Sequence, residues 1–125
     1  MNKQGKKMID PSAEVLKKIS IVLFPYIEKL SNLLYKRTIP VLTYRKLLDD
    51  IVVFKPEDAE VKSCAVVKEM KPNGEFKINV VYLDKDNNPI WKDGKNQECS
   101  FALAARKIDQ ELTDTFGNQN IIIFN

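Results

Sequence analysis

Val61-Lys-Ser-Cys-Ala-Val-Val-Lys-Glu-Met70, Lys71-Pro-Asn-Gly-Glu75 and Phe76-Lys-Ile-Asn-Val-Val-Tyr-Leu83 form the stretch whose reading decides the fold. Two runs rich in β-branched and aromatic residues flank a turn sequence, so they read as a β-hairpin. Pro72 suits the first αR position of a type I turn, Asn73 the second, and Gly74 the left-handed residue that closes a three-residue loop. That loop sets Met70 opposite Phe76, Lys68 opposite Ile78, Val66 opposite Val80 and Cys64 opposite Tyr82. On the other face it brings Glu69 to Lys77, an opposite-charge pair, and Ala65 to Val81. A two-residue Asn-Gly turn would instead set Glu69 against Ile78, so the bulged register is preferred. A helix from Pro56 to Met70 is the rival reading; Val61, Val66 and Val67 favour the strand.

Working outward, residues 1–9 are polar and lysine-bearing and read as a flexible basic tail. Asp10-Pro11 is a helix start, and apolar residues then recur at helical spacing from Val15 to Leu34. Pro25 removes one backbone bond and clashes with the preceding turn, which predicts a kink or break near Phe24. Ile21 and Phe24 lie off the main stripe, so this segment is apolar around most of its circumference. Pro40 ends the helical signal. Thr43 caps a second helix with Tyr44, Leu47, Leu48, Ile51 and Val52 inward and Arg45, Lys46, Asp49 and Asp50 outward. After Leu83 come a polar turn, a short third strand at Ile90-Trp91 and a second turn at Asp93-Gly94. Ser100 is read as the cap of a final helix with a stripe of Phe101, Ala105, Ile108, Leu112 and Phe116, ended by Gly117. Ile121-Ile122-Ile123-Phe124 reads as a buried or partner-facing terminal strand. No internal repeat is evident.

The expected class is α+β in a single domain over 1–125, with a helical part at 10–54 and a ββ(β)αβ part at 60–125. Element order suggests an antiparallel sheet with helices on one face.

The chain has 125 residues, enough for one substantial core, and a net charge of +3. The surplus is uneven. Residues 1–54 hold ten Lys and Arg against five acids, whereas 55–125 hold ten against twelve. Cys64 and Cys99 form no paired motif and no secretory leader accompanies them, which points to reduced thiols in the cytoplasm. The longest apolar run, Ile19 to Ile27, is too short to span a bilayer.

There is no histidine, which removes Ser-His-Asp and Cys-His catalysis and His-ligated zinc. Asp84-x-Asp86-x-Asn88 imitates the opening of a calcium loop, but Pro89 and Lys95 stand where the loop needs glycine and a bidentate glutamate. Cys64 reads as a core residue; Cys99, taken to precede a helix N-terminus, has no base beside it. The four glycines are scattered and make no phosphate loop. No cofactor, metal site or small-molecule substrate is indicated, and an enzyme is the least favoured class.

Two functional readings remain. The first is a non-enzymatic protein-interaction module, a regulator or adaptor, self-association included. Its candidate contacts are Ile21, Phe24, Ile121 and Ile123, because the two apolar segments need more cover than the rest of the chain obviously supplies. The alternative is a nucleic-acid-binding domain that uses Lys36, Arg37, Arg45, Lys46, Lys71 and Lys77 as helix plus wing.

Overall fold

The computed structural model describes residues 8–9, 17, 19, 21–23, 25, 27 and 37–124. Its elements are β1 (Met8–Ile9), β2 (Ile39–Leu42), α1 (Tyr44–Val53), β3 (Ser63–Met70), β4 (Phe76–Leu83), β5 (Phe101–Ile108), α2 (Gln110–Phe116) and β6 (Ile121–Phe124). The strands form one sheet in the order β1-β6-β3-β4-β5-β2. Every neighbouring pair is antiparallel except β2 and β5, which run parallel. The class is therefore α+β with a mixed sheet.

The hairpin at its centre has the register that Pro72-Asn73-Gly74 dictates, with Met70 opposite Phe76, Glu69 opposite Lys77 and Cys64 opposite Tyr82. Gly74 N–H donates to the Lys71 carbonyl at 2.9 Å, and Lys71 N–H to the Glu75 carbonyl at 2.7 Å. Gly74 sits at φ +86°, where a Cβ would be strained.

One face of the sheet carries Cys64, Val66, Ile78, Val80, Tyr82, Phe101, Leu103, Ile122 and Phe124, and packs under Leu47 and Ile51 of α1 and Leu112 and Phe116 of α2. Lys68 also lies on this apolar face, and its Nζ reaches over the Phe116 ring, 4.8 Å from the centroid. The opposite face carries Ala65, Val81, Leu83, Ala102 and Ile123, and meets Ile19, Leu23 and Ile27. Those three residues are helical and spaced by four, so they share one stripe. The alanines opposite them allow a close approach of helix to sheet. Both faces are covered, not one.

Several expectations are corrected. Phe101–Ile108 is strand β5, and only Gln110–Phe116 is helical. The stripe that suggested one long helix skips Ala102 and Leu103, yet both are fully buried. A central strand covered on both faces is apolar on both sides, so helical spacing among its residues is coincidental. Asp109, not Ser100, caps the helix, accepting from Leu112 N–H at 2.8 Å. The expected third strand at Ile90-Trp91 reduces to isolated bridges, Leu83 to Pro89 and Lys92 to Glu98. Pro40 does not merely end a helix; it lies within β2, an edge strand where a missing donor is tolerated. Met8 and Ile9, read as tail, pair with Phe124 and Ile123. Asp50 is buried, not outward, and accepts from Lys46 Nζ at 3.2 Å. The kink expected near Phe24 lies outside the described residues; Pro25 itself is helical.

Residues 82–99 hold a short repeated turn, which corrects the reading that the chain has no internal repeat. Asp84 Oδ1 accepts from the backbone N–H of Asp86 and Asn88 at 2.8 and 2.9 Å. Nine residues on, Asp93 Oδ1 accepts from Lys95 and Gln97 at 2.8 and 3.0 Å. Asn87 and Asn96 take φ of 64° and 63°. Each turn is closed at its base by a matching bond, Ile90 N–H to the Tyr82 carbonyl and Cys99 N–H to the Trp91 carbonyl. Asp-x-x-Asn repeated at nine residues was the signal. The carboxylate of Asp84 is thus engaged as a turn cap, the use the polar-turn reading gives it.

Candidate protein-docking site

α1 runs from the hairpin end of the sheet to the opposite end, where the two nine-residue turns lie. Thr43 caps its start by accepting from Lys46 N–H at 3.0 Å, and Asp109 accepts from Tyr44 N–H at 3.2 Å. Its last turn is pinned from below, because the Tyr82 hydroxyl donates to the Ile51 carbonyl at 2.7 Å. Burial pushes the Tyr82 phenol well above its ordinary range, so it remains a donor. Phe54 follows the helix and sets its ring edge-on to Phe101, with centroids 5.8 Å apart.

With the helix end fixed in this way, Val52, Val53 and Phe54 stand out from the surface, 52, 69 and 41 % exposed. The inward placement expected of Val52 is therefore wrong. The last inward residue is Ile51; Val52, still within α1, lies one turn on from half-buried Leu48 at the margin of the inward stripe. Lys55-Pro56 then turns away, Pro56 being buried.

A cleft opens on each side of this ridge. One, of about 530 Å³, has Val53, Phe54, Pro56, Cys99 and Phe101 as its apolar lining. Glu57, Asp58, Asp93 and Glu98 form its acidic rim, with Lys55 and Lys95 the only cations there. The other, of about 560 Å³, runs between Val52, Val53, Pro56 and Val61 and adds Glu60. Gly94 allows the second turn to close on the linker, since a Cβ there would lie 2.8 Å from Asp58 Oδ2.

Cys99 lies at the floor of the first cleft. It precedes β5, not a helix, so no dipole activates it. Its Sγ donates to the Ile90 carbonyl at 3.1 Å, and Ser100 Oγ donates to the same oxygen at 3.1 Å. Burial, with the Asp93 charge adding to it, pushes the thiol up to about 11. At neutral pH Cys99 is a protonated, apolar lining group.

The sequence-derived candidates are dispersed. Ile21 is exposed on the solvent side of its helical segment, Ile123 is buried against Ile19, Leu23 and Ile27, and Ile121 is half-buried at the margin of that cluster. The two apolar segments thus cover one another, and Ile123 is not available as a surface contact. Phe24 and Lys36 lie outside the described residues. Arg37 and Arg45 are exposed. Lys46 pairs with Asp50, Lys71 with Glu75 and Lys77 with Glu69, at 3.2, 3.8 and 3.8 Å. Lys77 is on the sheet face away from α1, where its Nζ also reaches the Ile27 carbonyl at 3.5 Å. The five of these cations that are described do not share one face, because Lys77 lies across the sheet from α1.

No protein-family model, no curated protein and no solved structure matches the chain. Among the described residues no helix is long and apolar enough to cross a membrane, and no cluster of three metal-ligating side chains occurs.

Proposed function

We propose that this chain is a non-catalytic protein-interaction module, a regulator or adaptor, and that it docks its partner across the Val52-Val53-Phe54 ridge. The observation that carries this reading is the ridge itself: three consecutive large apolar residues held in solvent by a fixed helix end, with a cleft on either side. An apolar anchor surrounded by polar rim is the usual anatomy of a contact surface. The protonated Cys99 favours a lining role over a nucleophilic one. Cys64 and Cys99 are buried thiols and not a disulfide, which suits the cytoplasm.

The test is affinity purification of the full chain from its native cells, with nuclease present. A stoichiometric protein partner should accompany the wild type, persist with Lys107→Glu at the far end of the sheet, and be lost with Val53→Asp. A partner retained by Val53→Asp, or lost on nuclease treatment, contradicts the reading.

The nucleic-acid reading keeps one specific support. Arg45 on α1 and Arg106 and Lys107 at the end of β5 are exposed near the same end of the sheet. Their replacement by Gln should flatten the salt dependence of any DNA or RNA binding.

A further inference from the structure

The chemistry of the clefts specifies what they receive. We infer that the Val52–Phe54 site takes an extended segment of a partner protein in which one or two large apolar side chains are flanked by Lys or Arg. This inference rests on the docking role proposed above and adds the partner's chemistry to it.

Charge complementarity around an apolar anchor selects such a segment. The two clefts together carry five carboxylates, Glu57, Asp58, Glu60, Asp93 and Glu98, against two ammonium groups, Lys55 and Lys95. None of the seven forms an ion pair among the described residues, although ion pairs form elsewhere, at Lys46, Lys71 and Lys77. The local surplus is thus three negative charges, in a protein whose net charge is +3. The acids are exposed or half-exposed, whereas the apolar lining residues Pro56 and Phe101 are buried. An anionic or purely apolar segment would leave those like charges facing one another uncompensated. A cationic flank relieves them while its apolar residue occupies the cleft.

Selection of random twelve-residue peptides displayed on phage against the immobilised full chain tests this. The enriched peptides should carry Lys or Arg on one or both sides of a large apolar residue. Synthetic versions should bind less tightly as salt rises from 0.1 to 1 M, an expectation set by screening of exposed charge. Reversing two rim charges, Glu57→Lys with Glu98→Lys, should weaken them by about tenfold, the cumulative effect of several exposed pairs. The same double variant should bind peptides whose flanking residues are changed to Glu more tightly than the wild type does. Val53→Asp should abolish binding, and its unchanged thermal midpoint would show that the fold persists.

Each contrary result has a distinct meaning. Enriched peptides that need Val53 but carry no cations, or that ignore the charge reversal, overturn the inferred chemistry while leaving the docking role standing. Peptides indifferent to Val53→Asp, or no enrichment at all, overturn both. Sedimentation that shows a wild-type dimer reduced to monomer by Val53→Asp makes a second copy the occupant and overturns the basic-segment inference.

Discussion

Tyr82 and Asp109 each satisfy backbone groups that the helix ends leave open, and both act on α1. Tyr82 is fully buried beneath Ile51, so Tyr82→Phe strands a buried carbonyl and should cost about 1–2 kcal/mol in urea denaturation. Asp109 accepts from Tyr44 N–H and Leu112 N–H at once, joining the first turns of α1 and α2. Asp109→Ala should cost about 1–2 kcal/mol, and Asp109→Asn should recover part of it, since its amide oxygen still accepts. Cys99 and Tyr82 set the alkaline limit of the fold. The unfolded thiol ionises near its ordinary value of 9.0, while the folded one holds its proton to about 11. Their folded forms bind protons that the unfolded chain has released, so stability is fully present below pH 9. It should fall as pH rises from 9 toward 11, with Tyr82 adding to the loss above its ordinary 10.0. Urea midpoints measured across that window should decline; a flat profile would mean that neither group is shielded.

At the scale of elements, the hairpin was legible because its signals agree: turn chemistry, alternation and cross-strand charge all select one register. Gly74→Ala should cost about 1 kcal/mol or more, because no atom lies near the added Cβ and the strain of positive φ stands alone. β5 was not legible, because a strand buried on both faces shows no alternation, and three of its apolar residues, Phe101, Ala105 and Ile108, happen to recur at helical steps. The distinguishing residues are Leu103 and Ile108. Leu103 is fully buried in the sheet and Ile108 only partly, at its end. Leu103→Ala should therefore cost about 2–5 kcal/mol and Ile108→Ala clearly less, the reverse of what a continuous helical stripe requires. β2 escaped notice for another reason. Four residues that include a proline carry little strand signal, and only their pairing with β5, distant in sequence, makes them a strand.

At the scale of the molecule, the apolar surplus seen in the sequence is real but mostly internal. Ile19, Leu23 and Ile27 cover the face that holds Ile123, whereas the exposed apolar ridge lies at Val52, Val53 and Phe54. Sequence periodicity placed Val52 inward because it sits one turn on from Leu48, yet that edge of the stripe is only half-buried at Leu48 and is exposed at Val52. The acidic rim was equally hidden, since Glu57, Asp58, Asp93 and Glu98 come from segments more than thirty residues apart and meet only through the fold. Because Val53 is 69 % exposed, Val53→Asp should leave unfolding free energy within about 0.5 kcal/mol of wild type. The central claim is that this ridge is the docking surface, and NMR titration of the isotopically labelled full chain with a peptide selected on it tests that most directly. Progressive backbone shifts are expected at Val52–Glu57 and at Asp93, Glu98 and Cys99, absent in Val53→Asp. Shifts centred on the Lys71–Glu75 turn or on Arg45 and Lys107, with the ridge unmoved, would contradict it.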